Sequence, residues 1–394
     1  MPTFVSFFII LLVAVIFSQL YSRMRIPWVV ALIVGGIFIG PSGLGLFQFD
    51  ATIDFLAQIG LVFLMFMAGL ESKFSDTKNI QSKIILTTLL VGLVPAIVGL
   101  GVGYYFKSEW PAAILIGIIF MSSAIALLIP QFQSQKIIGT DLGKIIVNSV
   151  IVMDAASLIL LSLFLQITND SFSAWNLLFY PLILTILAVM MFIIPKIRWL
   201  TFEENYPEEQ DLFEKELRFV ILILIGFVVF FELVGLHAII AGFFAGLILS
   251  QSMKSRILKA KLHAIGYGFF VPVFFVVVGA STDISIFWGG ENFQSLFLVL
   301  SIIICLVLSK FASGFLSGKL GGLKAKESFF LGFAVIPQLS TSLAVAFLGF
   351  GQGIIDRDIL SSVVALTIVT SILAPIAVGF IGKRLPEQQL ITEQ

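Results

Sequence analysis

"VIVMDAASLILL", residues 150–161, is apolar on every side apart from Asp154 and Ser157. A carboxylate at the centre of a membrane helix costs roughly 2.5–3.5 kcal/mol on the insertion scale, so a chain that keeps one generally has a use for its charge. Whether the stretch is a span depends on the chain around it. Of 394 residues, 59% are hydrophobic and 12% charged. That leaves too little polar surface to coat a soluble protein of this length, and an integral membrane protein follows.

Working outward from Asp154, thirteen apolar segments are long enough to cross the hydrocarbon, allowing a few short or broken ones. They fall at about 4–22, 26–40, 53–70, 83–106, 111–130, 142–166, 175–195, 213–235, 237–251, 264–281, 292–316, 326–349 and 358–381. The basic residues check the count, because lysine and arginine gather in cytoplasmic loops. With the N-terminus outside and the C-terminus inside, twenty of the 23 lie in inner segments; only Lys107 and Arg357 are outside, and Lys310 lies within a span. One span lost from the middle would destroy that asymmetry. The expected fold is thus an all-α polytopic membrane protein with 13 transmembrane helices. No basic region or small-residue cleavage site precedes "FVSFFIILLVAVIFSQL", so residues 4–22 are read as a retained first span.

Three pairs of spans, each seven apart, resemble one another. "IGLVFLMFMAGLESKF" matches "YGFFVPVFFVVVGASTDISIF", and "SSAIAL" (122–127) matches "TSLAVA" (341–346). Sliding span 6 onto span 13 sets Asp154 opposite Ser371. An odd offset inverts orientation, so spans 1–6 and 8–13 are expected to be inverted repeats, joined by span 7 and the acidic loop "TFEENYPEEQDLFEKE". Spans 5 and 12 also share hydroxyls beside a proline: Ser122 and Ser123 before Pro130, and Ser340, Thr341 and Ser342 after Pro337. Proline frees an upstream carbonyl, and hydroxyls occupy groups released where a helix unwinds. Two discontinuous spans would place opposed dipole ends and spare carbonyls at mid-membrane, as in cation sites. The plainer alternative is two kinked helices whose hydroxyls bond back to their own backbone.

The remaining residues exclude several classes. One cysteine, Cys305, allows no intramolecular disulfide, and two histidines cannot make a histidine-rich metal site; no cofactor is expected. A net charge of zero argues against nucleic-acid partners. No Ser-His, paired-aspartate or His-Glu-x-x-His constellation suggests an enzyme. A desolvated carboxylate needs a partner, and either a proton or a monovalent cation such as Na+ or K+ satisfies Asp154, though not both at once. Ser122, Ser123 and carbonyls of the broken helices would supply neutral oxygens, with Asn148 ranked lower because it lies about 540–600° round the helix from Asp154. Lys310 either compensates charge at the site or snorkels to the cytoplasmic edge. Glu71, Glu232 and Asp283 read as interfacial charges, with Glu71 and Glu232 also candidates for lining a funnel.

"RIPWVVALIVGGIFIGPSGLGL", "FLMFMAGLE", "MSSAIAL", "FELVGLHAIIAGFFAGLIL", "VFFVVVGASTDIS" and "ALTIVTSILAP" resemble, in order, the signature stretches of the cation:proton antiporter-2 family, with its NapA-type sodium/proton antiporters and Kef-type potassium efflux systems. The resemblance implies exchange of Na+ or K+ for H+ in a prokaryotic plasma membrane, by an elevator-like motion of a homodimer. It implies a dimerisation part from about 1–72 and 213–285, a mobile core from about 83–166 and 292–381, and a linker span at 175–195. By the same resemblance Asp154 carries the ion and Lys310 matches the family's span 11 lysine. Two residues depart from the pattern. Met153 stands where electrogenic members carry a first acid, and Ala124 stands where a third hydroxyl is common, leaving only its backbone carbonyl to serve. Without a second acid, Lys310 must stay neutral, reach water or pair with Asp154, and one-for-one electroneutral exchange is expected. The chain runs about a dozen residues past span 13, so no soluble regulatory domain is expected. A Kef-type channel and an organic-anion carrier of related fold stay open as alternatives; the second would want more basic residues at the site.

Overall fold

The computed structural model describes residues 3–24, 27–46, 50–72, 80–107, 109–124, 127–168, 214–234, 236–253, 255–284 and 293–382. The expected span at 175–195 lies outside them. All regular structure among the described residues is helical. The chain runs α1 (Thr3–Met24), α2 (Trp28–Ile39), α3 (Ala51–Glu71), α4 (Gln81–Lys107), α5 (Trp110–Met121), α6 (Ile129–Ser134), α7 (Asp141–Thr168) and α8 (Lys215–Leu233). It continues through α9 (Ala238–Ser252), α10 (Arg256–Ile265), a π-helical turn at Gly266–Phe270, α11 (Val271–Ser281), α12 (Phe293–Leu320), α13 (Ala325–Ala334), α14 (Ser340–Gly351) and α15 (Arg357–Gly382).

Among the described residues, six helical runs are long and apolar enough to cross a membrane: α3, α4, α7, the continuous α10–α11, α12 and α15. Shorter apolar helices include α2, α5 and α14. Most are apolar all round, as befits helices that face neighbours on one side and lipid on the other. α10 differs, burying Leu258 and Leu262 on one side while Arg256, Lys259 and Lys261 line the rest, the pattern of a helix entering at a membrane interface. Its start is fixed by Ser255, whose hydroxyl accepts the Leu258 N–H at 2.9 Å.

Two spans are interrupted. α5 ends at Met121, Ser122 turns to extended backbone (φ −68°, ψ 165°), and helix resumes at Ile129 as α6. Pro130 occupies the first turn of α6, where a missing N–H has no intrahelical partner to lose, so this proline starts the second half and lies outside the break. α13 ends at Ala334 and α14 begins at Ser340, with Pro337 inside the non-helical stretch between them.

The chain divides into two compact units, Met1–Ile53 with Phe74–Leu161 and Phe275–Gln394, and Asp54–Lys73 with Ser162–Phe274. In the first, α4 packs on α5 and α12, α12 on α13 and α15, and α14 on α5 and α15. Their shared core includes Val91, Phe132, Ile145, Met153, Phe330 and Val335. In the second, α3 and α9 cross backbone to backbone. A Cβ on Gly69 would stand 2.1 Å from the Phe243 carbonyl oxygen and one on Gly246 2.0 Å from that of Phe66, so only glycine permits this crossing.

Candidate functional site

The two breaks meet in the first unit. The Ala124 N–H donates to the Pro337 carbonyl at 2.7 Å, tying one non-helical stretch to the other. The Ser123 hydroxyl donates to the Val335 carbonyl at 2.8 Å. Gln338, fully buried, sits at the centre of the crossing. Its amide nitrogen donates to the Ser122 carbonyl at 2.7 Å, and its amide oxygen lies within hydrogen-bond reach of the Ser122 hydroxyl (3.1 Å) and that of Ser342. The two hydroxyls are themselves 2.9 Å apart. Its backbone N–H donates to Thr370 Oγ1 at 3.2 Å, which anchors the second break to α15. A helix end inside a membrane has no water to satisfy its last carbonyls, and this amide supplies the partner that Ser122 lacks.

Asp154, at the midpoint of α7, faces this crossing, and its Oδ1 accepts the Ser123 N–H at 3.3 Å. Asp154 is only partly buried, as are Ala155 and Ala156 beside it. Thr341, in the first turn of α14 beside Ser342, is buried at the same crossing, and its hydroxyl makes no hydrogen bond.

Lys310 comes from α12 and is fully buried. Its Nζ donates to the Met121 carbonyl (2.8 Å), the Ser123 hydroxyl (2.8 Å) and the Val91 carbonyl (3.3 Å). Met121 is the last residue of α5, so the cation sits at the negative end of that helix's dipole. The Val91 carbonyl is available for a simple reason. Pro95 lies four residues later inside α4 and has no N–H to give it. Lys310 and Asp154 form no direct ion pair, and Ser123 lies between them, its hydroxyl on Lys310 and its N–H on Asp154. Of the arrangements expected for Lys310, neutral, reaching water or paired with Asp154, the structure shows no direct pair; three neutral oxygens surround the nitrogen.

The other expected site residues are scattered more widely. Met153 is fully buried in the apolar core, so its position offers no room for a charge facing the crossing. Asn148 turns its amide back to the Lys144 carbonyl, 2.7 Å away in its own helix. Ser371, opposite Asp154 in the repeat alignment, is buried with an unpartnered hydroxyl, and Pro375 removes the helical donor for its carbonyl. Glu71 belongs to the second unit, where it accepts from the Tyr267 hydroxyl at 3.2 Å and lies 3.4 Å from His263 Nε2. Glu232 is exposed in the last turn of α8. Gln338 and Pro95 were missed. A signal for the first was present, because Ile-Pro-Gln occurs in both broken spans, at 129–131 and 336–338.

Two interrupted helices crossing beside an intramembrane carboxylate form the recurrent ion-site architecture of secondary transporters. Comparison with known proteins agrees. The chain belongs to the sodium/hydrogen exchanger transmembrane family, which matches residues 8–384. It is 30% identical over 379 residues to the probable Na(+)/H(+) antiporter 3 of Methanocaldococcus jannaschii, covering 95% of each chain. It is 24% identical over 371 residues to the Na(+)/H(+)-K(+) antiporter GerN of Bacillus cereus, covering 93% of each. Its fold is similar to that of the sodium proton antiporter MjNhaP1 of M. jannaschii at pH 8, with a TM-score of 0.70, 18% identity, and coverage of 98% of this chain and 99% of that one. The protein is a multi-pass membrane protein of that family.

Proposed function

We propose that this protein exchanges Na+ for H+ across the membrane by alternating access, with Asp154 as the carboxylate that proton and cation share. The observation that carries the reading is the placement of Asp154 where the breaks cross, partly buried and with the Ser123 N–H on one oxygen. A partly enclosed carboxylate between helix ends is costly to leave bare, and a proton or a cation neutralises it equally well. Binding one displaces the other, so a carrier that crosses only when neutralised couples the two fluxes. K+ is the second substrate to test, since GerN is named for both ions.

The finer proposal is a member of the NapA and Kef branch, a homodimer whose spans 1–6 and 8–13 are inverted repeats. Its dimerisation part covers about 1–72 and 213–285, and its moving core about 83–166 and 292–381. Exchange is electroneutral in this account. Three acceptor oxygens round the Lys310 nitrogen match the three N–H groups of an ammonium, so Lys310 keeps its proton throughout while Asp154 alone titrates. The test uses purified protein in liposomes with set Na+ or K+ gradients, set pH gradients and a clamped voltage. Flux that stops when the cation and proton gradients balance one to one at any voltage supports the account. A balance point that moves with voltage rejects electroneutrality, and proton flux that ignores every cation gradient rejects exchange.

A further inference from the structure

The hydroxyls first expected to hold the cation already have partners. Ser123 gives its proton to Val335 and accepts Lys310, and Ser122 is held within the Gln338–Ser342 cluster. Thr341 has none. It is 3% exposed, and its Oγ1 makes no hydrogen bond. Local structure explains why. A threonine inside a helix can return its proton to a carbonyl one turn back, as Thr367 does to Val363 (2.9 Å) and Thr370 to Leu366 (2.8 Å). Thr341 lies in the first turn of α14, with no helical turn behind it. The Pro337 carbonyl four residues earlier is turned away to accept the Ala124 N–H. An unsatisfied buried hydroxyl is costly, so a position that keeps one calls for an explanation.

Its place in the crossing offers one. Thr341 adjoins Ser342, whose hydroxyl lies 2.9 Å from that of Ser122, and the next residue, Ser123, gives its N–H to the Asp154 carboxylate. Two oxygens that share a cation stand farther apart than two that share a proton, because the ion's diameter lies between them. We infer that Thr341 Oγ1 is a ligand of the transported monovalent cation, completing from α14 a site whose charge comes from Asp154 on α7. One oxygen would then come from each of two elements, so the site exists only while α7 and the second break hold their present register. The inference rests on the proposed role of Asp154, and the test separates the two.

Exchange is measured in liposomes as Na+-driven proton flux for wild type, Thr341→Val, Thr341→Ser and Asp154→Asn. Valine keeps the shape and removes the oxygen. Losing one ligand should raise the apparent KM for Na+ roughly tenfold, the equivalent of one ordinary ligand interaction. The limiting rate should stay near wild type, and serine should bring KM back to within about twofold. Stabilisation of the purified protein by Na+ in thermal unfolding gives a second readout that needs no transport, and its midpoint concentration should shift upward in parallel. Thr341→Val with unchanged KM and unchanged Na+ stabilisation overturns the inference, and so does a Thr341→Ser protein as impaired as valine. If Thr341→Val does not fold, the same comparison between Thr341→Ser and Thr341→Ala decides. Exchange that survives in Asp154→Asn would sink the site reading itself, whereas a silent Asp154→Asn beside a normal Thr341→Val removes only the threonine.

Discussion

Gln338→Met keeps side-chain length and removes the side chain's polar contacts at the centre of the crossing. The Ser122 carbonyl loses its 2.7 Å donor and has no water or helical N–H to replace it. An orphaned buried acceptor costs about 1–3 kcal/mol. The Ser122 and Ser342 hydroxyls lose the amide oxygen but are 2.9 Å apart and can still pair, so that part costs only about 1 kcal/mol. The expected destabilisation is therefore about 2–4 kcal/mol. At about 2–4 °C per kcal/mol for a unit of a few hundred residues, the unfolding midpoint should fall by roughly 5–15 °C. Thermal unfolding of purified protein in one detergent, followed by helical circular dichroism, measures it. Exchange should fall too, since both breaks lose their common anchor. A midpoint equal to wild type, with unchanged Na+ KM, would refute the assignment of Gln338 as the tie between the two breaks.

Pro95→Ala should make the protein more stable and a poorer exchanger. Alanine restores the helical N–H to the Val91 carbonyl and relieves a penalty of up to about 3 kcal/mol, while competing with Lys310 for that oxygen. A stabilised variant with wild-type exchange would show that the proline does nothing for the lysine. Lys310→Gln should lower the stability by about 1–3 kcal/mol, because part of a three-acceptor cradle goes unsatisfied. Whatever flux it retains should stay voltage-independent, and a change of stoichiometry would mean that Lys310 titrates in the cycle.

Hydropathy made the membrane class and six long apolar helices legible, and a carboxylate alone in an apolar run singled out Asp154. The breaks were half legible. Pro337 lies in one, but Pro130 only opens the helix after the other, since the first turn is where proline is cheapest. Pro95 reads as an ordinary kink in sequence. Its use depends on a lysine 219 residues beyond Val91 reaching the carbonyl it frees, and no local pattern encodes that meeting. The serines were conspicuous because they sit in a motif, yet folding engages both. Thr341 stands out only once its first-turn position and the direction of the Pro337 carbonyl are known.

The most direct test of the central claim is Na+-driven proton flux through purified Asp154→Asn protein in liposomes, read beside its unfolding midpoint. Asparagine keeps the shape and can still accept the Ser123 N–H, but it can neither release a proton nor balance a cation's charge. The account predicts a folded protein with no cation-dependent proton movement at any pH. Flux that persists and still follows the Na+ gradient would contradict it.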